Sequence, residues 1–349
     1  MSDLYTVRTL LSLSATFLVS VYLLRVLRPI AHRIDLVDHP DVRKTHGGQV
    51  ALIGGVGIFL GVVSGLMLSP FGLGEFRLFI LCCGILMVTG ILDDHKDISP
   101  LKKIIVQFLI AGLLTMADGL VVTDIGDIWN WRDGNELGTG VLAIPLSVIA
   151  IVGVLNSLNM VDGHDGLAGS MFVLSGVALM IFCQLSGFTK HQHILALFVV
   201  GTVAFLIFNF PSGRADSEKV FLGDAGSLLL GLVLAFFLIL ITEENNSLLK
   251  TVSAPWIIGV PLLDLMGVIC LRAIARQSLI KADRRHLHHF LGDLGMGKIE
   301  ILVVIGILQG IFVGVGLAGS LLDWPDPFLF WPMFAILFSY IVLRKQIGR

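Results

Sequence analysis

Five short stretches hold most of the residue types able to do chemistry. In the first, Asp93-Asp94-His95-Lys96-Asp97, two adjacent carboxylates end an apolar run. A helix C-terminus carries a partial negative charge of about −0.5, so carboxylates there repel each other and are opposed by the dipole. A bound divalent cation reverses both penalties; a solvated acidic turn helped by Lys96 is the alternative. Asp97 precedes Ser99-Pro100, an N-cap followed by proline at the first helical position, and fits support of that start. The second stretch contains Asn156, Asn159, Asp162, Gly163, His164, Asp165 and Gly166, with no Lys or Arg to neutralise its acids locally. Asp162 and Asp165, three apart, share a face if helical, and the glycines let backbone amides approach a ligand. The spacing is not that of a calcium loop, and a structural turn with side-chain caps is the alternative.

In the third stretch, Phe221-Leu222-Gly223-Asp224-Ala225-Gly226-Ser227, Asp224 is either a ligand-facing carboxylate between glycines or simply an N-cap. Asn209, Arg214 and Lys219 lie just before it. The fourth, Asp283-Arg284-Arg285-His286-Leu287-His288-His289, suits anion recognition, because arginine offers forked donors to phosphate oxygens. It lacks the separated ligand pairs of a zinc site. The fifth, Asp38 to Gly48, adds Arg43, Lys44 and His46, and Gly54, Gly55 and Gly57 follow; it is not a Walker loop. Both basic stretches also serve as plain topology signals. Acids for a cation, together with bases for phosphates, point to a metal-dependent nucleotide or phosphate enzyme.

The elements that position these stretches must sit in lipid. The chain has 349 residues, 55% hydrophobic and 14% charged, with mean hydropathy +0.90. Soluble domains carry about 25% charged residues and avoid wide exposed apolar patches. A cytoplasmic enzyme, a nucleic-acid binder and a secreted disulfide scaffold are thereby excluded. Cys82, Cys83, Cys183 and Cys270 all lie in apolar runs and fit small core residues.

A membrane-crossing helix needs about 20 mostly apolar residues. Segments near 8–24, 50–69, 77–92, 102–117, 141–157, 167–186, 193–209, 222–241, 252–271, 301–320 and 327–343 qualify or come close. The expected fold is an all-α polytopic membrane protein of about eleven transmembrane helices, a single domain over 1–349. Its N-terminus lies outside and its C-terminus in the cytoplasm. The first segment lacks the charge order of a cleaved signal peptide. Under eleven spans only Arg8, Arg77, Arg132, Lys190 and Lys250 of the 24 Lys and Arg lie outside, as the positive-inside rule requires; ten spans would divide the basic loops between sides. The outer segment 118–140 carries Asp133-Gly134 between apolar residues, predicting a short external β-hairpin. Trp129 and Trp131 suit the interface, and the carboxylates there fit a solvated face. The five polar stretches all fall inside.

Taken together, the segments Arg43-Lys44-x-His46, Asp93-Asp94-x-x-Asp97, Asn159-x-x-Asp162-Gly163-x-Asp165-Gly166-Leu167-Ala168, Gly223-Asp224-x-Gly226-Ser227 and His286-x-His288-His289 resemble the polyprenyl-phosphate N-acetylhexosamine-1-phosphate transferases. They occur in family order from about 38 to 290. The span count and the His-x-His-His loop match the WecA type more than the MraY type. The resemblance implies transfer of GlcNAc-1-phosphate from UDP-GlcNAc to undecaprenyl phosphate, with UMP leaving, in the bacterial inner membrane. It implies Mg²⁺ or Mn²⁺ on Asp224, with Asp93 and Asp94 as catalytic carboxylates at the reacting phosphates and on the metal. It places Asn159, Asp162, Gly163, Asp165, Asn209 and Phe221 around the uridine. Lys44, His46, Arg285, His286, His288 and His289 fall to the diphosphate or sugar. The bilayer is the expected surrounding, nucleic acid is not a partner, and a homodimer is compatible. An acceptor phosphate monoester has its second pKa near 6, so direct attack without a base is expected. The alternatives are an MraY-like donor, UDP-MurNAc-pentapeptide or another UDP-HexNAc, and a secondary transporter. Transporters keep their polar site near the bilayer midplane, where only Asp264 falls here.

Overall fold

The computed structural model describes residues 2–39, 48–96, 98–129, 137–211, 218–278 and 285–347. Lys44 and His46, together with Arg43, Asp97, Trp131, Asp133, Gly134 and Arg214, lie outside them. The helices are α1 (Ser2–Arg33), α2 (Gly54–Leu68), α3 (Arg77–Lys96), α4 (Pro100–Ala117), α5 (Ala143–Val161), α6 (Leu167–Ser186), α7 (Thr189–Asn209), α8 (Gly223–Glu243), α9 (Ala254–Ile257), α10 (Gly259–Ile274), α11 (Leu287–Asp293), α12 (Lys298–Leu321) and α13 (Pro327–Ile347). The protein is an all-α polytopic membrane protein. Every apolar segment of the sequence contributes helix, yet not all as simple crossings. Among the described residues nine helices are long and apolar enough to span a bilayer, and α9 with α10 adds a tenth if the bent pair is one span.

The two exceptions have physical causes. Segment 50–69 yields only the 15-residue α2, about 22 Å at 1.5 Å per residue, because Val50–Leu52 is drawn into a strand instead. That strand, β2, pairs antiparallel with β1 (Val37–Asp38) and parallel with β3 (Val220–Phe221), in registers Val37↔Ala51 and Ala51↔Val220. This small sheet was not foreseen. It anchors the start of α8 to the end of α1. Segment 252–271 bends by 86° between Ile257 and Gly259. Pro261 has no N–H for the Ile257 carbonyl four residues back. Ser175 Oγ at 2.7 Å and Gln309 Nε2 at 2.8 Å donate to that carbonyl instead, while Gln309 Oε1 accepts from Val260 N at 3.0 Å. Backbone groups away from water must be satisfied internally, and these two fully buried side chains from α6 and α12 do it. Gln309→Leu therefore lowers stability by about 1–3 kcal/mol. Thermal unfolding in detergent reads this as a clear drop in Tm with normal membrane insertion; an unchanged Tm would contradict this explanation of the bend.

Helix α8 is the centre of the bundle. It packs on α2, α3, α5 and α6, and 89% of its apolar stretch is buried, against 6% for α13. Close approach of α3 to α8 depends on Gly90, where any Cβ would run into the backbone of Ala225. Small residues let membrane helices approach this closely, and here the contact carries the end of α3 onto the first turn of α8. In the outer segment, Asp124 bridges antiparallel to Gly138, and Ile125 N donates to Leu137 O at 3.1 Å. The predicted turn of that hairpin lies outside the described residues.

Candidate active site

Two carboxylates at a helix C-terminus need compensation, and each finds its own. Asp94 meets the N-terminus of α8: its Oδ1 accepts from Asp224 N at 2.9 Å and its Oδ2 from Ala225 N at 3.3 Å. The C-terminal dipole of α3 is thus opposed by the N-terminal dipole of α8. Gly223 makes room, with φ +71° and a position whose Cβ would lie 2.5 Å from Asp94 Oδ2. Asp224 is therefore not an N-cap. Leu222 holds that place without a side-chain bond, and Asp94 caps α8 from the neighbouring helix.

Asp93 points to a different partner. Lys103 Nζ lies 2.7 Å from Asp93 Oδ2 and 2.7 Å from Asp224 Oδ2, so one ammonium bridges two carboxylates from two helices. Asn159, in the last turn of α5, donates from Nδ2 to Asp224 Oδ1 at 3.1 Å and to Ser227 Oγ at 2.8 Å. One turn earlier, Asn156 Nδ2 donates to Gln107 Oε1 at 2.6 Å, tying α5 to α4. Four helix ends so converge on Asp224. Burial pushes the Asp162 carboxyl well above the usual range, and the carboxylates of Asp224, Asp94, Asp165 and Asp38 push it further. The region holds more negative charge than Lys103 alone can offset.

The turn after α5 is not helical, so Asp162 and Asp165 do not share a helix face. Asp165 is buried and its Oδ2 accepts from Lys219 at 3.0 Å and Lys298 at 3.3 Å. Its neutralising charges come from distant segments. Asn209 Oδ1 accepts from Gly166 N at 2.7 Å, and its Nδ2 donates to Val220 O at 2.9 Å. It ties the turn to β3, on which Phe221 sits.

The histidine stretch folds against the same turn. His286 and His288 rings are parallel at 5.8 Å, and His289 lies 4.2 Å from His288. His288 is 5% exposed, and its Nε2 has no hydrogen-bond partner. A Cβ on Gly163 would lie 2.5 Å from that nitrogen, so residue 163 is glycine because the His288 ring occupies the space. Arg285 Nη2 donates to Gln277 Oε1 at 2.6 Å. Burial, with His289, His286 and His164 alongside, pushes the His288 pKa down to about 2. The folded ring stays neutral while an unfolded chain gains a proton below about pH 6.5. The stabilisation is complete above that pH and declines as pH falls towards 2. His288→Asn should lessen the acid dependence of Tm between about pH 5 and 6.5 by the uptake of one proton. Asp162 contributes the opposite slope, so the test is the difference between variant and parent; parallel curves would contradict it.

The donor set fits a hard cation. The Lys103 ammonium marks a point within reach of both Asp93 and Asp224, where a cation is favoured. No three His, Cys, Asp or Glu side chains among the described residues converge as a complete cage. Two carboxylates plus substrate phosphate oxygens is the usual arrangement for Mg²⁺. Lys103 was the residue sequence reasoning passed over, as a topology charge. A lysine in the first turn of a helix opposes the dipole, and that cost signals a partner elsewhere.

The sequence pattern of glycosyl transferase family 4 matches residues 76–242. The undecaprenyl-phosphate alpha-N-acetylglucosaminyl 1-phosphate transferase of Yersinia pestis is 32% identical over 94% of this chain and 90% of its own length. Its namesakes in Salmonella typhi (30% identical, 95% and 90% covered) and Escherichia coli K12 (27%, 98% and 92%) are similar along almost the whole chain. The match spans every helix that converges on Asp224 and runs on through the histidine stretch, and the chain belongs to this glycosyl transferase family of membrane-embedded sugar-phosphate transferases.

Proposed function

We propose that the protein transfers GlcNAc-1-phosphate from UDP-GlcNAc to undecaprenyl phosphate, starting a lipid-linked cell-envelope glycan of the O-antigen or enterobacterial common antigen type. The observation that carries this reading is the Lys103 bridge between Asp93 and Asp224, a cation position at the ends of membrane helices. The full-length similarity to transferases of that name supports the substrates. An acceptor phosphate oxygen attacks the sugar-linked phosphorus, and the bond to UMP breaks. The acceptor is mostly dianionic at neutral pH, its second pKa being about 6, so no base is required. Asp224 and Asp93 would hold Mg²⁺ or Mn²⁺, which supplies neutralisation of phosphate charge when bound.

In this reading Asp94 keeps the first turn of α8 in place, so that Asp224 faces its partners. Asn159 fixes the Asp224 carboxylate. Asp162, Gly163, Asp165 and Phe221 form the nucleoside side of the site, and Asn209 shapes it through the backbone. Arg285, His286 and His289, with Lys44 and His46, provide diphosphate and sugar contacts, while His288 supports the turn. The active face is cytoplasmic in an inner membrane, since most Lys and Arg cluster with these residues. Membranes containing the protein, given radiolabelled UDP-GlcNAc or UDP-MurNAc-pentapeptide, should move label to butanol-extractable lipid only from the first, with UMP released. Transfer from UDP-MurNAc-pentapeptide alone would overturn the donor; no transfer from either would overturn the function.

A further inference from the structure

Asp264 lies within α10, 3% exposed, six residues beyond the bend. A carboxylate inside a bundle is costly unless it is fully bonded. Its Oδ2 faces His286 Nδ1 at 2.9 Å, and its Oδ1 accepts from Leu287 N at 2.9 Å and from the Tyr340 hydroxyl at 3.1 Å. Both protonation forms of imidazole that suit this contact carry a proton on Nδ1, which leaves Nε2 on the far side of the ring. Tyr340 comes from α13, the helix that otherwise buries least. Its ring fills the space over Gly267, where a Cβ would overlap it. One turn on, Arg344 Nη2 donates to the Arg285 carbonyl at 2.6 Å, and its guanidinium stands 4.4 Å over the Phe290 ring. The last helix thus grips the histidine stretch at two consecutive turns.

We infer that Asp264 and Tyr340 are positioning residues for the transfer reaction: they fix the ring orientation and Nδ1 proton of His286, so that its Nε2 is presented to the donor diphosphate. This rests on the function proposed above. Groups that orient a phosphate-binding ring act through it and not on substrate, just as partners of metal-bound histidines set tautomer and direction. Asp264 supplies the acceptor, and Tyr340 holds that acceptor in one rotamer while keeping it solvated in an apolar setting. The sequence isolates Asp264 as an intramembrane acid; only the fold pairs it with a histidine 22 positions later and a tyrosine from the final helix.

A kinetic double-mutant cycle on the full chain in lipid nanodiscs tests this. Tyr340→Phe keeps the ring over Gly267 and removes only the hydroxyl. Its kcat/KM for UDP-GlcNAc should fall about tenfold, the worth of one hydrogen bond to a charged group. In a His286→Ala background the same change should cost less than about twofold, because coupled residues are not additive. Asp264→Asn should follow the same pattern and provides the cycle if Tyr340→Phe folds poorly. Equal costs in both backgrounds would assign Tyr340 a merely structural tie and overturn the inference. A second readout does not need turnover. In ¹⁵N-histidine-labelled protein, the His286 nitrogen shifts should show Nδ1 protonated in the parent and a tautomer mixture in Asp264→Asn. Unchanged shifts would contradict the inference even if the parent released no UMP, an outcome that would count separately against the proposed function.

Discussion

Asp224→Asn lowers UMP release by about a thousandfold, the scale of losing a group that stabilises charge in phosphoryl transfer. The side chain keeps its shape, so the bond from Asn159 Nδ2 to residue 224 Oδ1 survives, and so does the cap that Asp94 makes to the α8 backbone. Insertion and Tm should therefore stay close to the parent values. What changes is charge. The Lys103 bridge loses one of its two anions, and a divalent cation loses the carboxylate that Asn159 holds in place. The measurement is UMP release across a Mg²⁺ series with Tm as control. Retention of more than a tenth of parent activity at saturating Mg²⁺ would remove Asp224 from the centre of the account.

Lys103→Met has the second large effect, and its signature differs. Removing one partner of a buried ion pair leaves uncompensated charge and costs about 3–5 kcal/mol. Here the carboxylates left behind are Asp93 and Asp224, the pair assigned to the cation. Lys103 and a divalent ion compete for the same oxygens, so the variant should be unstable without metal and regain Tm on adding Mg²⁺ or Mn²⁺, by more than the parent gains. Ligands that bind only the folded state stabilise it by mass action. Activity should fall by about a hundredfold or more, because a charge-stabilising group has left the site. A variant whose Tm responds to Mg²⁺ no more than the parent's would show that the ammonium and the cation do not share a position.

Much of this arrangement was legible in the sequence because charge is scarce. Asp93, Asp94, Asp224 and Asn159 stood out against apolar runs, and the helices that end at them follow from hydropathy. Their pairing was not legible. That Asp94 caps α8 depends on the glycine contact at Gly90, and no local pattern records which helix a glycine will face. Asp165 looked unneutralised because its lysines, Lys219 and Lys298, come from other segments. Gly163 suggested backbone approach to a ligand, whereas the neighbouring His288 ring sets its identity. The bend at Ile258 was half visible in Pro261, but the Gln309 and Ser175 side chains that make it tolerable belong to helices far along the chain. The short α2 was overestimated because an apolar strand and an apolar helix look alike when they adjoin.

The central claim is that Asp93 and Asp224 form a cation site at which the donor diphosphate is bound. Pulsed electron–nuclear double resonance on purified protein loaded with Mn²⁺ and UDP-GlcNAc tests it most directly, since coupling between the ion and ³¹P requires phosphate oxygen in its coordination sphere. The account predicts a strong ³¹P coupling in the parent protein and its loss in Asp224→Asn at the same Mn²⁺ and donor concentrations. A coupling that persists unchanged in Asp224→Asn, or one absent from the active parent, would contradict it.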